Sequence, residues 1–574
     1  MRSIAKAILA LWRPVFLILS LVLAGSGGAE AAPLPTVKPA ISCADLATID
    51  FTGLEEAPAR IDAAKEVGAE SRKPGYCQVT GYIAADVRFE VRLPVDGWTQ
   101  RFLMVGCGGY CGFVGVDNDS VAAQSAGCAP LTSGAMVTAA TDLGHEKSAS
   151  FFPDGLWARG NPRAIVDFAY AGMHKSTILA KALIKAYYGD GPKFSYYSGC
   201  SDGGREGLQE VQRFPEDFDG VVIGAPVIDE VATNTFYHAW GIRTNSQPDG
   251  SPIPTANKMP ALIAAVIKAC GDQQGLIPDP RACKFDLSTV ACKSGAEDSC
   301  LTKAQADVVR KLWDGPVDER GDRLSAGDMP IGSEAAWAGT MVPKQAGQKM
   351  TLDSVGDYQW SYDFPNYMAN FGVPTGVTNQ NIKFDKESFD RSEAYSGVYD
   401  PTNPDLSAFA KHGGKLIIWQ GWSDSGVSPY ISLNYVHAVR AIIGTDEADK
   451  FLALYMLPGV YHCNLYGGPT TSREDFLTPM MSWVEDGKAP GRIVVEYSAS
   501  KDSKIPSKSR PAYPYPVEVA YSGSGDVNDA ASYVRAEPQR RFDDQLRWLG
   551  LDHYTPGHQL WCDEKDGALT CAGR

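Results

Sequence analysis

A serine and a histidine, each with a cysteine beside it, are the residues of this chain that most directly suggest chemistry. Ser201 sits in Gly199-Cys200-Ser201-Asp202-Gly203, and His462 is followed directly by Cys463. Gly-x-Ser-x-Gly is the sequence form of a strained strand-to-helix turn that lifts a serine hydroxyl out of a sheet. Such a hydroxyl is a poor nucleophile until a neighbouring imidazole takes its proton. A buried carboxylate must in turn hold that imidazole in the right tautomer. The chain has only eight histidines, so one that falls at the expected place carries weight. If Cys200 and Cys463 are bonded, the disulfide ties nucleophile to base.

The surrounding sequence supplies the elements that would position these groups. Residues 194–198, Phe-Ser-Tyr-Tyr-Ser, suit a short buried strand, and residues 205–214 suit an amphipathic helix ended by Pro215. Strand, Gly-x-Ser-x-Gly, helix is the order that the motif requires. In an α/β-hydrolase the acid and then the base follow the serine, each on a loop after a strand. Residues 415–420 read as one such strand and the 421–426 loop after it carries Asp424, the candidate acid. Residues 451–456 read as the next, and the 458–463 loop carries His462, the candidate base. Asp142 and His145 form a rival pair, but they precede the serine and read as structural. The oxyanion site should come from the amide of Asp202 and from a glycine of the 106–112 loop, Gly108 or Gly109, after a strand at 101–105.

Composition bounds the compartment and the partners. The first 31 residues combine Arg2, Lys6 and Arg13, a short apolar run from 15 to 24, and small residues ending in Ala29-Glu30-Ala31. That is the pattern of a cleaved secretory signal, since a membrane span needs about 20 apolar residues. Cleavage after Ala31 removes three basic residues and one acidic one, so the net charge moves from −15 to −17. An acidic chain repels phosphate backbones, so nucleic acid is not expected as a partner, and no membrane contact is expected after cleavage. The 13 cysteines suit an oxidising compartment, periplasmic or extracellular. Their spacing suggests the pairs Cys43–Cys77, Cys270–Cys283, Cys292–Cys300 and Cys562–Cys571, with Cys200–Cys463 as the long-range pair. Cys128 is expected to pair with Cys107 or Cys111, and the odd total leaves one thiol over.

These residues together resemble the tannase and feruloyl esterase family, which includes hydrolases of mono(hydroxyethyl) terephthalate. The resemblance rests on Cys200-Ser201, Asp424 and His462-Cys463, on the Gly-Gly-Arg that follows at 203–205, and on the segments 141–145, 219–226, 510–516 and 523–526. It spans about residues 40–535 and implies a disulfide between the cysteines flanking serine and histidine. It also implies a secreted carboxylic ester hydrolase acting on small-molecule esters of aromatic acids, either plant phenolic esters or terephthalate monoesters. A peptidase, or a non-catalytic binder on the same fold, is the alternative. Members usually carry a calcium loop between two cysteines. Here the 270–283 loop holds only Asp272 and Asp279 as acidic residues, whereas calcium takes about six to eight oxygens. No cofactor is expected to be required.

The organisation follows from spacing. Ser201 and Asp424 are 223 residues apart, far more than the strands between them need. The expected architecture is an α/β-hydrolase fold, disulfide-stapled, with a catalytic domain in two segments, 32–228 and 397–574, and a large lid inserted at 229–396. The insert is rich in aromatics: Trp337, Tyr358, Trp360, Tyr362, Phe364, Tyr367 and Phe371. Most are expected to pack within the lid and some to face an aromatic acyl group.

Overall fold

The computed structural model describes residues 34–69, 74–148, 154–295, 297–345, 347–464, 471–499, 506–538, 545–565 and 568–573. The signal segment expected at 1–31 lies outside the described residues. No helix among them is long and apolar enough to cross a membrane.

The centre is a nine-stranded sheet in the order β1-β2-β3-β5-β4-β6-β7-β8-β9. The strands β1 (Ala59–Val67), β2 (Tyr76–Ile83) and β3 (Val87–Pro94) form an antiparallel meander, which joins β5 (Val137–Thr141) antiparallel. From β5 onward every pairing is parallel, through β4 (Arg101–Val105), β6 (Phe194–Cys200), β7 (Gly220–Gly224), β8 (Lys415–Gly421) and β9 (Leu452–Leu457). Parallel strands are buried on both faces and so are largely apolar. Their alternate side chains feed two separate cores. Phe102, Met104, Tyr197, Val221, Ile223, Leu416 and Leu454 enter one, and Leu103, Val105, Tyr196, Val222, Ile417, Trp419 and Tyr455 enter the other.

Four helices cover the sheet: α1 (Gly172–Tyr188), α2 (Asp202–Arg213), α3 (Pro429–Ile443) and α4 (Leu477–Asp486). Their ends follow local chemistry. The α1 helix stops at Gly189, whose φ of 88° is the left-handed conformation glycine adopts at no steric cost. A proline at its first turn starts α3, where the missing N–H has no intrahelical partner to lose.

The segment between β7 and β8 adds no described strand to the central sheet. It builds instead the helices Met259–Cys270, Lys303–Asp314, Gly356–Asp363 and Lys386–Glu393. Thr302 and Gln305 close a reciprocal capping box on the second of these. The insert has a small core of its own around Leu262, Val309, Leu312, Trp337 and Met341. Its Phe236, Phe364, Met368 and Phe389 belong instead to the same buried cluster as the sheet. Insert and sheet are therefore packed as one body rather than strung together.

Six disulfides are present: Cys43–Cys77, Cys107–Cys111, Cys200–Cys463, Cys270–Cys283, Cys292–Cys300 and Cys562–Cys571. The expectation for Cys128 is corrected: it is the free thiol. Cys107 and Cys111 face one core and Cys128 faces the other, so the sheet stands between them. The turn at Gly108–Gly109 brings the Cα atoms of Cys107 and Cys111 to 5.5 Å, well within bonding range. Burial pushes the Cys128 thiol up to about 12, so it is held protonated and unreactive.

The C-terminal hairpin, Trp561–Lys565 with Ala568–Ala572, is stapled by Cys562–Cys571 and docks at the far end of α2. Arg213 of α2 lies over the Trp561 ring and donates to the Leu560 carbonyl.

Candidate active site

Ser201 stands at the junction of β6 and α2 with φ 64° and ψ −121°. A non-glycine residue at positive φ is strained, and the surroundings hold it there. The Ser201 N–H donates to the Gly224 carbonyl of β7 (2.9 Å), and its own carbonyl accepts from Gly204 and Arg205 (2.9 and 3.1 Å). Glycine is required on either side by close approach. A Cβ at Gly199 would meet the Gly203 carbonyl at 2.4 Å, and one at Gly203 would meet the Cys107 carbonyl at 2.6 Å. The second contact shows how tightly the 106–112 loop lies on the start of α2.

Asp424 follows β8 and His462 follows β9, and the fold brings both to Ser201. His462 Nε2 is 2.9 Å from Ser201 Oγ, and His462 Nδ1 is 2.9 Å from Asp424 Oδ2. The Asp424 carboxylate is fully buried. It accepts from the amides of Gly426 (2.8 Å) and Val427 (3.0 Å) and from Gln420 Nε2 (3.1 Å). Gln420 is itself buried and held by Ser432. Burial works to lower the basicity of His462, but the charge and hydrogen bond of Asp424 outweigh it, and its pKa lies above the usual value of 6.5. The Cys200–Cys463 bond joins the residue before the serine to the residue after the histidine, with Cα atoms 5.8 Å apart.

The amide of Asp202 opens α2, where the first N–H groups have no intrahelical acceptor. Its carboxylate turns away to Arg205 (Nε to Oδ1, 2.5 Å), which is buried and also donates to the Phe168 and Ala169 carbonyls. In the 106–112 loop the Cys107 amide is directed at Glu206 (3.4 Å). Among the described residues the amides of Gly108 and Gly109 have no acceptor. Free amides therefore stand at the helix start and in the glycine loop that packs against it.

The pair Asp142 and His145 lies outside the Ser201–His462–Asp424 relay but holds that loop in place. Gly112 donates to the Asp142 carbonyl (3.3 Å), and His145 Nε2 donates to the Tyr110 carbonyl (2.7 Å). Burial pushes His145 down to about 4, so it stays neutral and keeps this bond. The aromatic segment of the insert closes over the same loop. The Tyr110 hydroxyl donates to the Trp360 carbonyl (3.0 Å), and the two rings meet edge to face at 4.8 Å. Tyr237, also in the insert, donates to the Ser425 carbonyl beside Asp424 (2.9 Å). Trp337 and Phe364 are core residues, whereas Trp360, Tyr367 and Phe371 are partly exposed. The place of Asp142 and His145 before the serine reads as structural, but nothing in their spacing announces that they brace the glycine loop.

Asp272 and Asp279 do not fit a calcium site. The Asp272 carboxylate pairs with Arg510 and the Asp279 carboxylate with Arg281 (2.7 Å), so each faces a guanidinium.

Comparison with known proteins agrees with this architecture. A family model described as tannase and feruloyl esterase matches residues 71–536. An uncharacterized esterase of Xanthomonas campestris pv. campestris is 30% identical, over 89% of this chain and 94% of its own length. A mono(2-hydroxyethyl) terephthalate hydrolase of Piscinibacter sakaiensis is 28% identical, over 83% of this chain and 87% of its own. Among solved structures, feruloyl esterase B from Aspergillus oryzae superposes with a TM-score of 0.72 at 24% identity, covering 86% of this chain and 99% of that one. Tannin acyl hydrolase from Aspergillus niger superposes with a TM-score of 0.68 at 21% identity, covering 91% and 99%. At such identities the superpositions speak for the fold alone. The chain belongs to the tannase and feruloyl esterase family and is a carboxylic ester hydrolase.

Proposed function

We propose that the protein is an exported serine esterase that cleaves esters of aromatic acids, with Ser201 as nucleophile, His462 as base and Asp424 as the acid that orients it. The observation that carries this reading is the unbroken hydrogen-bonded line Asp424–His462–Ser201 at the start of α2. Ser201 Oγ attacks the ester carbonyl carbon while His462 Nε2 takes its proton. The negative charge formed on the carbonyl oxygen is met by the amide of Asp202 and by that of Gly108 or Gly109. Collapse breaks the bond to the alcohol, which leaves with the proton from His462. Water, deprotonated by the same imidazole, then attacks the acyl-serine and releases the acid. Export is supported by the six disulfides.

The test is hydrolysis of methyl ferulate, methyl gallate, mono(hydroxyethyl) terephthalate and a short aliphatic ester by the oxidised mature chain, with Ser201→Ala beside it. The phenolic esters are expected to turn over fastest, and kcat is expected to fall on the order of 10⁵-fold or more in the variant. Fastest turnover of the terephthalate monoester would move the substrate class to synthetic monoesters. Equal cleavage of matched amides would make the protein a peptidase or amidase. Turnover unchanged in Ser201→Ala would remove the serine from the mechanism.

A further inference from the structure

The helix that begins at the candidate nucleophile ends at a second cluster of functional side chains, which the ester chemistry does not use. Glu210 lies on the buried face of α2 and is 1% exposed. Neither of its carboxylate oxygens meets an N–H or O–H donor among the described residues, and the group it faces is the carboxyl of Asp217. A buried carboxylate left bare in this way is costly, and native proteins satisfy such groups with a donor, a proton or a metal ion. Two further side chains converge on the same point: His174 from α1 and Asp217 from the turn between α2 and β7. One ligand atom from each of the three lies within 4.8 Å of the other two.

The histidine stands between two carboxylates. Its Nε2 points outward to Glu56 Oε2 (3.3 Å), and its Nδ1 points inward to Asp217 Oδ2 (2.5 Å). The ring is fixed by stacking on Phe214, with centroids 3.6 Å apart and planes 6° apart. As the side chains stand, Nδ1–H donates to Asp217; an ion in the cluster would replace that proton and take the Nδ1 lone pair while Glu56 holds the Nε2–H from behind, the usual arrangement behind a metal-bound histidine. The nearby ammonium of Lys181 does not close the gap. It donates to the main-chain carbonyl of Asp217 (2.5 Å) and lies over the Phe218 ring.

We infer that His174, Glu210 and Asp217 form a divalent-cation site, with Glu56 holding the imidazole from behind. One imidazole with two carboxylates is a mixed nitrogen and oxygen set, which suits zinc better than calcium or magnesium. The site joins α1, the far end of α2 and the turn into β7. A bound ion there clamps the helix that presents Ser201 without touching the reacting atoms. The competing occupant is a proton shared between Glu210 and Asp217, consistent with burial and the Asp217 charge pushing the Glu210 carboxyl well above the usual range.

Zinc separates the two. The oxidised mature chain is stripped with a chelator, and zinc binding is followed by calorimetry and native mass spectrometry, with thermal unfolding in parallel. One zinc per chain and a higher unfolding temperature on its addition are expected. Glu210→Gln and His174→Gln should each weaken binding by more than about 100-fold and abolish the thermal response, and Glu56→Gln should weaken it by about 10–100-fold. Three results overturn the inference: no zinc bound by the wild-type chain, the same zinc stoichiometry in all variants, or a Glu210→Gln chain as stable as the zinc-loaded wild type. In the last case a proton fills the site, because a glutamine amide replaces a shared proton but not a metal ligand. None of these readouts depends on ester turnover, so the inference stands or falls apart from the proposed function.

Discussion

The imidazole of His462 is pulled in two directions, and under the proposed mechanism the balance sets how turnover responds to pH. Burial favours its neutral form, while Asp424 favours the charged one and wins, so the pKa lies above 6.5. A general base must be neutral to accept a proton. The value of kcat/KM is therefore expected to rise with pH through one proton step centred above 6.5, and to be flat only at higher pH. Asp424→Asn removes the charge that raises this pKa and offers Nδ1 the wrong partner. Its kcat is expected to fall on the order of 10⁴-fold, and the midpoint of what remains should move to lower pH. The measurement is a pH–rate profile of both proteins on one ester. An Asp424→Asn variant within about tenfold of wild type would mean that a group other than Asp424 orients the base. Gln420 belongs to the same reasoning: it bonds the carboxylate and not the substrate, so it is a positioning residue.

At the scale of elements, the serine and histidine stand on loops after different strands, with β7 and β8 between β6 and β9, and one covalent bond ties these loops together. Replacing Cys200 and Cys463 together by alanine should cost about 2–4 kcal/mol of stability. It should also lower kcat more than it raises KM, because the 2.9 Å contact between Nε2 and Oγ would no longer be clamped. Thermal unfolding and steady-state kinetics on the same preparation check both, and unchanged kcat in a folded variant would reduce the bond to a staple. Much of this geometry is legible in sequence because its signals are local. The strand expected at 101–105 is Arg101–Val105, and that expected at 415–420 is Lys415–Gly421, since buried parallel strands are short apolar runs bounded by turns. The helix expected at 205–214 instead begins at Asp202, because the strained turn is completed within the single residue Ser201. What stays hidden depends on three-dimensional neighbours. Cysteine spacing cannot tell which face of the sheet Cys128 occupies. Nor can the aromatics of the insert announce that Trp360 will close on Tyr110, or Asp142 and His145 that they brace the loop between.

Over the whole molecule, the insert and the sheet share one core, and polar groups are trapped where they meet. Burial holds Asp229, Asp328 and Glu334 up at about 7 and Glu230 at about 8, all in or at the edge of the insert, and Glu474 at about 8 beside the His462 loop. Asp229 is satisfied by the Tyr554 hydroxyl (2.7 Å), which fastens the tail to the root of the insert. These carboxyls are protonated in the folded chain at pH values where the unfolded chain has released its protons. A raised folded value means that the folded state binds more protons, so stability falls as pH rises from the ordinary carboxyl range toward 8. The raised values of His462 and His553 act in the same direction. His145 and His558, pushed down to about 4, oppose the trend only below about 6.5, where the unfolded chain takes up protons that they refuse. The unfolding temperature is therefore expected to drop between about pH 6.5 and 8. Glu474→Gln isolates one contributor. Its one bonded oxygen accepts from Asn464 (2.6 Å) and the other has no donor, so the amide keeps the bond while losing the titration. The variant should match or exceed wild type at pH 8 and lose part of the slope. An unfolding temperature that rises across this range would mean that the folded chain does not hold these protons.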